Sequence, residues 1–182
     1  PMTTKEITTL VHQAFFDAGY SKEWSPHPHD LSIEFDLRLE ELDDDLRNLR
    51  SLSDDQAICI GYANNDTKNN HPPLAHRICY LAGQKIRELR EEYELGPDAK
   101  VIVTCQDDEV ERISLSLQHK SMTSKKRLYQ LAHIVAKAVG ITDSSRVFVN
   151  GGGDFDVGGP HGDNGLSGKK LVVDAYGPTI PI

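Results

Sequence analysis

A chain of 182 residues with 38% hydrophobic and 26% charged side chains can bury one large core or two small ones, and it carries no composition typical of disorder. Its formal net charge of −8 excludes the broad basic face that nucleic acid or an anionic membrane surface requires. Cys59, Cys79 and Cys105 contain no CxxC pair and sit in apolar stretches, so they read as reduced, buried small residues of a cytoplasmic protein.

Thr3 to Ala18 reads as a helix. Thr3 and Glu6 are spaced as a capping box, Ile7, Leu10, Val11, Ala14, Phe15 and Ala18 form one stripe, and Gly19 is the stop. After the loop Ser25 to His29, Leu31, Ile33, Phe35 and Leu37 alternate with polar residues as in a half-buried strand. An acidic stretch follows from Glu40 to Asp54, then a short apolar run, Gln56 to Ala63, expected as a strand, and an Asn-rich loop. Leu74 to Glu92 is expected as a helix opened by Pro72 and Pro73. Gly96-Pro97-Asp98 reads as a turn.

Lys100 to Cys105 and Val110 to Gln118 are expected to pair around a polar tip, with Ile113, Leu115 and Leu117 on one face. Thr123 to Val139 is a helix with Leu128, Leu131, Ala132, Val135 and Val139 inward, stopped by Gly140. Arg146 to Asn150 is a strand, and Leu171 to Ala175 an apolar element of either type. Strand pairs interspersed with single long helices favour α+β: mixed or antiparallel sheets with helices on one face. No segment reaches membrane-spanning length, and the first residues lack the basic patch and apolar stretch of a signal peptide.

The densest chemistry lies between Gly151 and Lys170, which holds eight of the chain's 14 glycines and ends on Lys169 and Lys170. Bent glycine-rich backbone followed by fixed cations suits an anionic ligand such as a polyphosphate. A Walker loop fails, since Asp163 stands at its first glycine and Lys170 at its Ser/Thr. No G-x-G-x-x-G spacing occurs. A calcium loop opened by Asp154-x-Asp156-x-Gly158 lacks its twelfth-position glutamate, which is Gly165. Asp163 is either a ligand carboxylate or the head of an Asx-turn; Phe155 either stacks on a purine or anchors the loop. Asp98 and Lys100 by themselves read as a solvated turn. His27 and His29 read as loop histidines without further ligands at metal spacing, and His119 is undecided.

The segment Gly158-Gly159-Pro160-His161-Gly162-Asp163-Asn164-Gly165-Leu166-Ser167-Gly168-Lys169-Lys170, with Val172-Val173-Asp174-Ala175-Tyr176-Gly177 after it, resembles the signature of S-adenosylmethionine synthetases (methionine adenosyltransferases). Weaker matches precede it in order: Asp55-Gln56-Ala57 into Gly61-Tyr62-Ala63, Ala75-His76-Arg77, Pro97-Asp98-Ala99-Lys100, and Ser116-Leu117-Gln118-His119.

The resemblance implies an α+β fold of repeated strand pairs and single helices. It places residues 1–95 in a first unit, 96–150 in a second, and 151–182 in the glycine-rich nucleotide segment and the start of a third. It implies S-adenosylmethionine synthesis from ATP and L-methionine with release of phosphate and diphosphate, Mg2+ and K+ as cofactors, and a homodimer or homotetramer without nucleic acid or membrane. Asp163, Lys169 and Lys170 are then catalytic. Asp98, Ala99, Lys100, Asp154, Phe155, Asp163, Lys169 and Lys170 contact ATP, and Asp163 and Asp55 the methionine.

The chain also departs from the family. Asp154 stands where arginine is usual, Lys169 replaces an arginine, and the mobile loop ahead of Asp55 has no counterpart. The opening Gly-His-Pro-Asp-Lys segment and the later Ser-Gly-Lys-Asp segment lie outside these residues, and the metal ligands are expected there. The resemblance therefore implies an internal segment that binds ATP weakly and does not turn over alone. The competing reading is a truncated, non-catalytic homologue acting as a regulatory or scaffolding subunit; a more remote one is a calcium-binding loop protein.

Overall fold

The computed structural model describes residues 2–21, 23–36, 60–63, 72–107, 109–163, 170–177 and 180. The expectations for the acidic stretch, Asp55, residues 56–59 with Cys59, and Lys169 fall outside them. In order the elements are helix α1 (Thr4–Ala18), helix α2 (Leu74–Tyr93), strands β1 (Leu95–Gln106) and β2 (Glu109–His119), helix α3 (Lys125–Ala138), strand β3 (Val147–Val149) and the short helix α4 (Leu171–Tyr176).

The sheet has the order β1-β2-β3. β1 and β2 are an antiparallel hairpin in which Lys100 faces Ser116 and Val101 faces Leu115. β3 adds in parallel, Ile113 beside Val147 and Leu115 beside Val149, after the crossover through α3. The period-two pattern of β2 sends Ile113, Leu115 and Leu117 into the core, where they meet Ile78, Ala82 and Ile86 of α2 and Leu128, Leu131 and Val135 of α3. Both helices thus cover one face, as the alternation predicts for an α+β unit. On the other face Ile102 and Phe148 are exposed, and the Arg112 guanidinium lies 5.7 Å from the Phe148 ring centre.

The capping box of α1 forms: the Thr3 N–H donates to Glu6 Oε2 at 2.7 Å, and the Glu6 N–H donates to Thr3 Oγ1 at 3.3 Å. Gly19 closes the helix at φ 103°, a left-handed value that suits glycine. The apolar stripe of α1, however, contributes no fully buried residue among those described, and Leu10 is 56% exposed. Ser124 caps α3 by accepting from the Arg127 N–H.

Four expectations are corrected. Among the described residues, 31–36 and 60–63 are not in a strand; no described strand lies alongside either to supply a hydrogen-bond ladder. Gly96-Pro97-Asp98 is not a free turn but lies inside β1, where the register slips between Leu95 and Ala99. Leu95 faces His119 and Ala99 faces Leu117, so four steps along β1 match two along β2 and the strand bulges. Cys79 and Cys105 are half-buried rather than buried, and neither is in a disulfide. Burial, chiefly, pushes the Cys79 thiol above its ordinary pKa.

Candidate functional site

The bulge in β1 leaves backbone groups that the ladder does not pair, and two long side chains take them up. Arg90 of α2 donates from Nη2 to the Pro97 carbonyl at 3.1 Å and from Nη1 to the Ala18 carbonyl at 2.6 Å, tying α1 to the sheet. Gln118, only 2% exposed, accepts from the Asp98 N–H at 3.0 Å through Oε1 and donates from Nε2 to the Asp156 carbonyl at 3.1 Å. One carboxamide therefore joins the bulge to the glycine-rich segment and satisfies its own donor and acceptor in doing so.

Space for Gln118 comes from two glycines. A Cβ on Gly96 would overlap its side chain, and one on Gly158 would come within 2.8 Å of both the Gln118 Cδ and the Asp98 Cβ. The approach lets Asp98 Oδ2 accept from the Gly159 N–H at 2.9 Å.

His119, also 2% exposed, fixes the preceding stretch of the same segment. Its main-chain N–H donates to the Phe155 carbonyl at 2.8 Å, and its Nε2 accepts from the Phe155 N–H at 3.3 Å. Nδ1 lies 2.9 Å from the Lys120 carbonyl, so the proton is assigned to Nδ1 by its partners.

Asn150 launches the segment. Its N–H donates to the Leu115 carbonyl, and its side chain both donates to the Leu117 carbonyl at 3.0 Å and accepts from the Leu117 N–H at 2.8 Å. The carboxamide thus imitates one more strand residue while the main chain, at φ 44°, turns away into Gly151 to Gly153.

These ties shape a cleft of ≈ 460 Å³ on the sheet face away from α2 and α3, within the usual range for small-molecule sites. It is lined by Asp98, Lys100 and Ser116 of the β1–β2 hairpin and by Asn150, Asp154, Phe155, Gly158 and Asp163 of the segment after β3. Phe155 is half-buried, while Lys100, Asp154 and Asp163 are exposed to solvent. The Asp163 N–H donates to the Gly159 carbonyl at 2.9 Å.

Five residues expected from sequence to serve one site, Asp98, Lys100, Asp154, Phe155 and Asp163, therefore share one cleft. Ala99 is exposed between Asp98 and Lys100. Lys170 is exposed immediately before α4 and does not line the cleft; Asp55 and Lys169 lie outside the described residues.

Sequence reasoning missed Tyr20, Arg90, Gln118 and Asn150. Tyr20 packs its hydroxyl against Gly159. Burial and, next, the Asp98 carboxylate raise its pKa, against the opposing pull of Arg90. The detectable signal was at Gln118-His119, where polar residues occupy successive positions at the end of an otherwise alternating strand.

Among the described residues, no group of three His, Cys, Asp or Glu side chains is arranged to hold a metal ion. Those that line the cleft do not by themselves fit one. His27 and His29 do gain a neighbour the sequence did not suggest: the His12 ring from α1 lies 4.9 Å from that of His29, edge to face, with Phe16 beside both loop histidines.

Comparison with known proteins adds an independent line. The model of the S-adenosylmethionine synthetase central domain matches residues 50–155. An S-adenosylmethionine synthase of Rhodopseudomonas palustris strain BisB5 is 35% identical over an alignment covering 99% of this chain and 50% of that protein. One from Petrotoga mobilis is 28% identical over 97% of this chain and 51% of its own length. A third, from Deinococcus deserti, is 33% identical over 70% of this chain and 36% of its own length. The chain spans about half the length of the curated relatives that it matches end to end. Asp98, Lys100, Gln118 and Phe155 fall inside the matched domain, whereas Asp163 and Lys170 lie beyond it. No described helix is long and apolar enough to cross a membrane.

Proposed function

The chain belongs to the S-adenosylmethionine synthetase family, and from that premise we propose that its cleft is the adenosyl site of an enzyme making S-adenosylmethionine from ATP and L-methionine. The methionine sulfur attacks the ribose 5′ carbon. A C–S bond forms, the C–O bond breaks with its electron pair leaving on the triphosphate, and water then splits the triphosphate into phosphate and diphosphate. The convergence of Asp98, Lys100, Asp154, Phe155 and Asp163 on one cleft carries this reading.

In it, Phe155 offers the surface against which adenine lies, and Asp98, held by Gly159, lines the ribose side together with Lys100; Ala99, off the cleft wall, enters only as the link between them. Asp163 receives the methionine ammonium, with Asp55 as a second carboxylate for that substrate. Lys100 on the cleft wall meets the charge that grows on the leaving triphosphate, and the reading adds Lys169 and Lys170 for the phosphates that extend beyond that wall. Holding both reactants in line is the remaining demand on the protein, and a cleft whose walls are cross-tied by buried hydrogen bonds answers it.

Mg2+ and K+ belong to the proposed reaction, but the described residues do not fit a metal, so no step here runs through one. Exposed Ile102 and Phe148 on the cleft-side sheet face support assembly as a homodimer or homotetramer. The experiment is calorimetric titration of the 182-residue chain with ATP. Saturable binding that Phe155→Ala removes, with the fold intact by circular dichroism, upholds the reading; binding unaffected by that change refutes it.

A further inference from the structure

The cleft carries the wrong sign for a bare polyphosphate. Among the described residues, Asp98, Asp154 and Asp163 line it against one ammonium group, Lys100. Asp98 is engaged by the Gly159 N–H. Asp154 and Asp163 are exposed, and neither forms an ion pair among the described residues. Lys170 is not on the cleft wall. Phe155, half-buried, stands next to Asp154 on the same wall.

Exposed carboxylates on a cleft wall attract an onium cation through direct charge attraction, while the neighbouring Phe155 ring is left to the adenine. The same carboxylates repel phosphate oxygens, in a molecule whose overall charge of −8 adds to the repulsion. Adenosyl ligands come in both signs. ATP is a polyanion. S-adenosylmethionine carries a sulfonium next to the ribose, and its amino-acid ammonium and carboxylate cancel, leaving one net positive charge.

We propose that this cleft selects an adenosyl sulfonium over an adenosine polyphosphate, and that Asp154 is the residue that sets the preference. The inference rests on reading the cleft as an adenosyl site. It goes further by ranking the ligands: the chain holds S-adenosylmethionine more tightly than it holds ATP. Asp154 acts through its charge alone, because its side chain is exposed and packs no part of the core.

The test is calorimetric titration of the full 182-residue chain with three probes: S-adenosylmethionine, S-adenosylhomocysteine, which lacks only the sulfonium methyl and its charge, and ATP with Mg2+. The expected order places S-adenosylmethionine about tenfold tighter than either of the others, a ratio typical of one well-placed charge contact. Asp154→Asn should erase most of the gap between the sulfonium and the thioether. Asp154→Arg should reverse the order in favour of ATP, and raising salt should shrink the gap in the unaltered chain.

Equal affinity for S-adenosylmethionine and S-adenosylhomocysteine overturns the inference, as does tighter binding of ATP; both outcomes leave the adenosyl site standing. A preference for the sulfonium that survives Asp154→Asn removes Asp154 from its role. Failure of all three probes to bind overturns the adenosyl reading of the cleft together with the inference.

Discussion

Gln118 accepts a hydrogen bond from the main-chain N–H of Asp98 at 3.0 Å, across a strand bulge where that N–H would otherwise lack a partner. The other end of the same carboxamide holds the Asp156 carbonyl. The position of the cleft's best-fixed carboxylate and the path of its glycine-rich wall are therefore decided by one buried side chain.

Replacing Gln118 with alanine leaves the Asp98 N–H and the Asp156 carbonyl, both only part-buried, without this partner. We expect a loss of about 0.5–1.5 kcal/mol per hydrogen bond in urea unfolding, the usual net worth of such a bond. Hydrogen exchange at the Asp98 amide should accelerate more than exchange in α3. A variant as stable as the parent would show that the carboxamide is not a structural tie.

Gly158→Ala puts a methyl group within 2.8 Å of Asp98 Cβ and Gln118 Cδ. The segment must move away from β1, so adenosyl-ligand binding should weaken while the core of α2, α3 and the sheet keeps its helical circular dichroism. Undiminished binding would mean that the close approach is dispensable.

Leu131 is fully buried at the centre of the helix-to-sheet contact. Leu131→Ala should cost about 2–5 kcal/mol in denaturant unfolding. It should do so without altering which ligands the cleft prefers, since Leu131 lies on the opposite side of the sheet. A shift smaller than that of an exposed-site substitution such as Met122→Ala would contradict the core assignment.

The Thr3 N–H, and secondarily its hydroxyl, hold the Glu6 carboxyl below its ordinary pKa. A lowered folded-state value means that this contribution is fully present above the unfolded glutamate pKa. It is lost as pH falls through the folded value. Protection factors of amides in the first turn of α1, corrected for the intrinsic pH dependence of exchange, should fall across that acidic window, and Glu6→Gln should remove this fall. An unchanged profile in the variant would place the effect elsewhere.

The parts of this fold that can be read from sequence are those where periodicity and tertiary environment agree. The α3 stripe and the alternation of Ile113, Leu115 and Leu117 each match a buried face. At Gly96-Pro97-Asp98 the residue types are those of a turn, yet Arg90 and Gln118 supply the partners that keep the chain in the sheet. Those partners sit on the preceding helix and on the neighbouring strand, so the pattern of the three residues themselves does not announce them. The stripe of α1 is regular, but among the described residues no partner buries it.

Within the site, Asp98, Lys100, Phe155 and Asp163 are singled out together only by the family resemblance, because their local patterns alone leave a solvated turn, an Asx-turn and a loop anchor open. Tyr20 is not, since only the folded chain brings it to Gly159 from the far end of α1.

The central claim is that an adenine ring rests in the cleft walled by Phe155. Photolabelling of the 182-residue chain with azido-ATP and Mg2+, followed by peptide mass spectrometry, tests it most directly. The account predicts that the label falls on the peptides carrying Asn150 to Asp163 and Asp98 to Lys100, and that excess S-adenosylmethionine protects them. Label on the histidine cluster of His12, His27 and His29, or spread without protection over the surface, would contradict it.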